Sequence, residues 1–236
     1  MFRIHPAAVN SRSKMFLESV GEDEAESPCL NKLTVWKRSS MAFRGTDGFT
    51  VFDRQGKLAF RVDNYSRTKS CSEGGGLVLM DGAGNALLTL RPQMWSIHSQ
   101  WNAYRGESYS CSRSGQSMTK LRVFTLRRCS RHLLHSSKAE AEVFLRKEAA
   151  CRTLSGQAPD FTIEGSFERR NCCIRRSSGE VVARIARKRV KNGGVVLSND
   201  VFSLVIKPGF DAEMVMGFVI VLDRICHKSY GPVMCS

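Results

Sequence analysis

Residues 211–228 read DAEMVMGFVIVLDRICHK, and from Met214 to Leu222 the run carries no polar side chain. Such a stretch either crosses a membrane or is enclosed by protein, and the choice sets the class of the molecule. A spanning helix needs about 20 predominantly apolar residues. Here the apolar run is bounded by Glu213 on one side and by Asp223 with Arg224 on the other, so it is too short to span. Its flanks predict a helix over 211–227. Asp211 can cap the first turn and Glu213 lies near the positive end of the helix dipole. Arg224, His227 and Lys228 lie near the negative end, and Gly231-Pro232 supplies a stop. Met214, Phe218, Val219, Val221 and Leu222 are expected to be nearly inaccessible, because a helix apolar on every side must be surrounded on every side.

The rest of the chain says what surrounds it. From LTVWKRS at 33–39 to about residue 207 the dominant period is two, in runs such as KLRVFTLRR, DFTIEGSFER and VFSLVIK. Gly, Asp, Asn and Ser punctuate these runs as they do hairpins. Asp53-Arg-Gln-Gly56, Asp81-Gly-Ala-Gly84, Ser112-Arg-Ser-Gly115 and Arg176-Ser-Ser-Gly179 suggest a unit of about thirty residues holding one hairpin, with one member lost. Gly82-Ala-Gly84 lacks the third glycine of a nucleotide loop and precedes the strand-like ALLTLR, so it is read as a turn. In an otherwise all-strand chain the object that encloses a helix is a closed barrel, which also removes the adhesive edges of the sheet. Residues 1–29, with the acidic cluster Glu22, Asp23, Glu24 and Glu26, are expected to be a flexible tail. Residues 30–230 are expected to form a single domain, and 231–236 a short C-terminal tail.

Composition narrows the partners. Thirty-six Lys and Arg against 22 Asp and Glu leave a net charge of +14, which favours phosphates of nucleic acid or of an anionic membrane face. The nine cysteines form no spaced framework, and MFRIHPAAVNSRSK lacks the apolar core of a secretory signal. Free thiols in a reducing, cytoplasmic compartment are expected, with a peripheral membrane or nuclear location open and an organelle transit peptide as the alternative.

Five segments in order carry a resemblance to a known family: LTVWKRS at 33–39, FTVFDRQGKLAFRVDNY at 49–65, LVLMDGAGNALLTLR at 77–91, SIHSQWNAYRGES at 96–108 and DAEMVMGFVIVLDRI at 211–225. The chain resembles the plant LURP-one-related family, itself similar to the tubby C-terminal domain and the phospholipid scramblases. The resemblance runs from about residue 30 to 228. It implies a mainly β fold, a twelve-stranded antiparallel barrel closed around a central hydrophobic C-terminal helix. It also implies associations with plant defence, membrane tethering and transcription, and it supplies no catalytic residues. The stretch 66–76, SRTKSCSEGGG, is longer than a typical family turn.

A search for chemistry yields little. Cys129-Ser-Arg-His132-Leu-Leu-His135 does not have zinc spacing, lacks an evident fourth ligand and is flanked by arginines. Adjacent Cys172 and Cys173 would face opposite sides of a strand. Asp53, Asp63 and Asp81 sit at turns or strand ends, where Asp is common for local reasons. No Walker loop, HExxH or calcium-loop string occurs, so no enzyme, cofactor or metal is expected.

Charge is the remaining signal. Residues 169–191 hold Arg169, Arg170, Arg175, Arg176, Arg184, Arg187, Lys188, Arg189 and Lys191 against the single acid Glu180. Arg127, Arg128 and Arg131 form a second knot. The planar fork of arginine suits phosphate oxygens. These residues are the candidates for binding anionic phospholipid headgroups, phosphoinositides included, by a monomeric peripheral protein. Nucleic acid is the alternative partner and a protein-interaction scaffold the third. The stretch 169–191 contains no aromatic residue for stacking on single strands. The one good helix is expected to be buried, which leaves none for duplex recognition. The hairpin could carry the charge as one stripe or at two separate ends, and the sequence leaves both open.

Overall fold

Period-two alternation becomes a strand wherever one face of a run can be buried. The computed structural model describes residues 31–38, 48–64, 76–93, 99–106, 121–129, 139–146, 157–189 and 196–227. The expected tails at 1–29 and 231–236 lie outside the described residues, as does the stretch 66–75. Twelve strands run in chain order. They are β1 (Asn31–Arg38), β2 (Gly48–Phe52), β3 (Leu58–Asn64), β4 (Leu77–Asp81), β5 (Ala86–Pro92) and β6 (Gln100–Arg105). β7 (Arg122–Arg128), β8 (Ala139–Leu145), β9 (Phe161–Ser166), β10 (Asn171–Arg176), β11 (Val181–Arg187) and β12 (Val201–Ile206) follow, and a helix, α1 (Ala212–His227), comes last. Each strand pairs antiparallel with its chain neighbours, and β1 pairs with both β2 and β12, which closes the barrel.

The turns reuse one device. In Asp53-Arg-Gln-Gly56 the Asp53 carboxylate accepts from the amides of Gln55 and Lys57, both at 2.9 Å. In Asp81-Gly-Ala-Gly84 the Asp81 carboxylate accepts the Asn85 amide at 2.8 Å. Gly56 and Gly84 take φ of 80° and 97°, where a side chain would be strained. Gly179 of the third such turn does the same at 86°, and Gly115 lies outside the described residues.

The helix is threaded through the barrel, and Phe218, Val219, Val221 and Leu222 are wholly buried. Met214, expected among them, is only partly buried, because it stands in the first turn at the barrel mouth. The Asp211 carboxylate caps that turn, accepting from the amides of Glu213 at 2.9 Å and Met214 at 3.4 Å. Phe218 meets the Phe124 ring edge-on, with centroids 4.8 Å apart, and leans on Phe161 at 5.6 Å. Gly217 lets the helix approach the wall closely, since a Cβ there would come within 3.1 Å of Phe124 Cζ and 3.2 Å of Leu88 Cδ1.

The far end of α1 is fastened by charge. Asp223 is buried and forms ion pairs with Lys37 Nζ at 3.1 Å and Arg170 Nη2 at 3.8 Å. Arg170 lies in the tight turn between β9 and β10 with φ of 51°, which directs its side chain into the barrel rather than outward. Its guanidinium stacks over Phe167 at 4.2 Å and Phe202 at 4.4 Å, and its Nε donates to the Asn199 carbonyl at 2.8 Å. Arg128 Nη1 donates to the Ile225 carbonyl at 3.4 Å, near the negative end of the helix dipole.

Two substitutions test this architecture by urea unfolding. Phe218→Ala is expected to lower stability by about 3–5 kcal/mol, the loss usual for a large core aromatic. Asp223→Ala removes the buried carboxylate that Lys37 and Arg170 share and is expected to lower it by about 3–5 kcal/mol as well. A loss within experimental error for Asp223→Ala would show that Lys37 and Arg170 find other partners without it.

Candidate anion-binding surface

The two ends of the barrel differ in charge. At the end where α1 begins, two of the cations are paired with carboxylates. Arg105 Nη1 meets Glu213 at 2.9 Å, and Arg175 Nε meets Glu164 at 3.0 Å. Arg175 and the exposed Arg176 lead into the β10–β11 turn at this end. At the end where α1 finishes, β11 delivers Arg187 and leads into Lys188 and Arg189, and the β9–β10 turn delivers Arg169. Arg187 Nε donates to the Arg169 carbonyl at 3.3 Å, which ties the two sources together. Beyond the strands the β11–β12 hairpin continues. Leu197 N donates to the Lys188 carbonyl at 3.0 Å, and Arg189 bridges to Val196.

The basic residues of 169–191 therefore separate into two ends with Arg184 between them. Arg184 sits on the outer wall, opposite Cys173 on β10 and Val205 on β12, and Val205 in turn faces Lys32 on β1. Lys188 reaches along the same wall to the Thr34 hydroxyl. Burial, and then the nearby Lys32 cation, pull the Lys188 amine below its ordinary pKa. An arriving anion would relieve that repulsion. No carboxylate among the described residues pairs with Arg169, Arg187, Lys188, Arg189 or Lys32. Among the described residues, the acids near the surface at this mouth include the exposed Glu168 and the half-buried Asp200 and Glu140, the last of which accepts the Phe167 amide at 2.8 Å.

The other candidates go elsewhere. Arg170 is only 3% exposed, so it braces the core and cannot meet a surface ligand. Arg127 is matched by Glu142 at 2.8 Å and lies over the Phe144 ring at 4.7 Å. Arg128 is taken up by the helix end. Both stand on β7, across the barrel from β12. Arg131 and Lys191 lie outside the described residues, as do His132 and His135. Lys32 escaped the sequence reading because it is far from the basic run along the chain; only strand pairing brings it alongside.

Among the described residues the perturbed acids and thiols are held by local structure. The Asn85 side chain, with its backbone amide, holds the Asp81 carboxyl below the ordinary range, in a shallow groove with Lys57 and Leu58, and those bonds are a turn's internal ones. Among the described residues no three potential metal ligands converge, and no helix is long and apolar enough to cross a membrane. Cys129, Cys172, Cys173 and Cys226 are free thiols. Cys226 Sγ donates to Glu140 Oε1 at 3.3 Å, and Cys172 Sγ lies 3.9 Å from Oε2 of the same carboxylate. Burial, reinforced by Glu140, pushes Cys226 up to about 12 and Cys172 higher still. Thiols so placed are poor nucleophiles at neutral pH. Above the ordinary thiol value of 9.0 the unfolded chain gives up these protons while the folded chain keeps them. Stability is thus unaffected below that pH and falls as pH rises towards about 12. The double substitution Cys172→Ala and Cys226→Ala is expected to flatten this alkaline fall in urea titrations, whatever it does to stability at neutral pH.

Comparison with known proteins agrees with this architecture. A family model described as LURP-one-related matches residues 31–223. Protein LURP-one-related 5 of Arabidopsis thaliana is 39% identical over 196 residues, 82% of either chain. Protein LURP-one-related 12 is 36% identical over 82% of this chain and 77% of its own, and LURP-one-related 8 is 30% identical over 97% and 100%, both from the same plant. An X-ray structure of an Arabidopsis thaliana protein superposes with a TM-score of 0.52 at 22% identity, covering 85% of this chain and 93% of that one, and supports the fold. With the closed barrel, the enclosed helix and the match along 31–223, the chain belongs to the LURP-one-related family.

Proposed function

We propose that this protein is a non-enzymatic barrel that docks reversibly on anionic membranes, phosphoinositide-bearing ones included, and acts there as a regulatory module. The observation that carries this is the mouth at the end of α1. There Arg169, Arg187, Lys188 and Arg189 stand together with no described carboxylate paired to them. Each basic residue near an anionic surface contributes about 1 kcal/mol, so a cluster of this size is enough for reversible attachment. Arginine at three of these four positions favours phosphate oxygens over a simple negative field. The helix needed to read a DNA groove is enclosed by the barrel and unavailable. The roles in defence or transcription implied by the family resemblance would then depend on where the barrel is held.

Vesicle binding tests this reading. Phosphatidylcholine vesicles with and without phosphatidylserine or a phosphoinositide would be compared with duplex DNA at matched salt. Binding to the anionic vesicles is expected to weaken steeply as salt rises, because exposed charges are screened over about 8–10 Å. Reversing Arg187, Lys188 and Arg189 to Glu is expected to lower affinity more than a hundredfold, at about 1 kcal/mol or more per residue. The melting temperature should barely move, since surface charges contribute little to folding. Arg54, Lys57 and Arg176, in turns at the opposite end, are the matched control, and reversing them is expected to do much less. Lys32 is unsuitable as a control, because it stands beside Lys188. Equal binding by the two triple variants would remove the case for this mouth.

A further inference from the structure

The basic mouth also carries apolar side chains that the barrel leaves uncovered. Trp36, on the outer face of β1, is 49% exposed. Val196, opposite Arg189 in the hairpin extension, is 41% exposed. The third exposed large apolar residue among those described, Leu121, lies at the other end of the barrel, where its carbonyl accepts the Arg105 amide. Trp36 pairs in register with Val201 at the start of β12, so it stands beside the root of the extension that carries Arg189 and Val196. Lys188 bonds to Thr34, which is two residues from Trp36 on the same face of the strand.

Resting on the membrane-docking function above, we propose that Trp36 and Val196 enter the interfacial layer of an anionic bilayer. They would thereby orient the barrel with the C-terminal end of α1 towards lipid. An indole ring prefers the headgroup level, where its body meets acyl chains and its N–H meets water. Cations beside it at the phosphates and an exposed apolar side chain such as Val196 are the arrangement of segments that lie in the interface. The anchor is also held firm from within. Successive residues of a strand face opposite ways, so Lys37 points inward as Trp36 points outward. Lys37 is fixed to Asp223 of α1 at 3.1 Å, which ties this end of β1 to the core. Trp36 is thus presented by a pinned strand, so little backbone order remains to be gained on docking. A single-stranded nucleic acid would ask instead for successive aromatic platforms, and the described part of this mouth offers one exposed aromatic ring.

The experiment uses the full chain with vesicles of phosphatidylcholine and phosphatidylserine. The difference in emission between the parent and Trp36→Phe isolates the Trp36 signal from the other two tryptophans. That signal is expected to shift to the blue on binding and to be quenched when the phosphatidylcholine is brominated in its acyl chains. Trp36→Ala is expected to weaken binding tenfold or more, since it withdraws roughly 100 Å² of apolar contact at about 25 cal/mol per Å². Val196→Asp, in the hairpin extension, provides a second variant and should act in the same direction. If the parent binds and the Trp36 signal neither shifts nor quenches, the barrel docks by charge alone and the proposed anchor is overturned. If Trp36→Ala leaves vesicle binding intact but changes the sedimentation of the free protein, the patch is a contact between copies, which also overturns it. Failure of the parent to bind any anionic vesicle would overturn the docking function itself, and the anchor with it.

Discussion

A helix without a polar face sets the terms for everything else in this molecule. Residues 215–222 are buried all round, with Gly217 thinned to let the Phe124 and Leu88 side chains press against the backbone. No single sheet face could cover such a helix, since a face hides only one side of it. Only a wall that returns to its starting strand can do so, and β1 serves as that joint by pairing with both β2 and β12. Inward positions on every strand then have to be apolar, and the outward ones are free to vary. The same closure satisfies the backbone of all twelve strands without leaving an edge to pair with another chain.

A plug inside a barrel still has to be kept from sliding along its axis, and apolar contacts are poor at that because they have no direction. Polar contacts at the two mouths supply it. Asp211 and the Glu213–Arg105 pair hold the start of α1, and Lys37, Arg170 and Arg128 hold its finish. Arg170 shows how local backbone geometry decides the role of a residue. It sits in the middle of a basic run, between exposed Arg169 and exposed Asn171. A left-handed turn conformation, unusual for an arginine, carries its side chain inward to Phe167, Phe202 and Asp223.

Much of this was legible in the sequence because the deciding signals are local. The apolar run at 214–222, its charged flanks and the Asp-x-x-Gly turns each specify structure within a few residues. The strand β8, AEAEVFL, is a counterexample: Ala and Glu favour helix in isolation, and only Ala141 and Val143 facing α1 reveal why it is extended. The candidate surface was read less well, since it depends on what distant strands bring together. Runs of arginine along the chain overstated it, because Arg127, Arg170 and Arg175 each have a partner that sequence spacing does not show. Nor does spacing show that Lys32 and Trp36 come into register with β12 across more than 150 positions.

The distribution of charge over the two mouths gives the fold a direction that its near-symmetric wall lacks. One end carries the matched pairs of Arg105 with Glu213 and Arg175 with Glu164. At the other end the carboxylate best placed to neutralise the cations, Asp223, is enclosed and already engaged by Lys37 and Arg170. Core stability and surface charge are therefore coupled at this mouth. The ion pairs that stop the helix from slipping leave the outer arginines unmatched, and the strand end pinned by Lys37 is the one that presents Trp36. Changes that loosen Asp223 should accordingly be felt at the surface, where the outer basic residues and the exposed indole share the same strands.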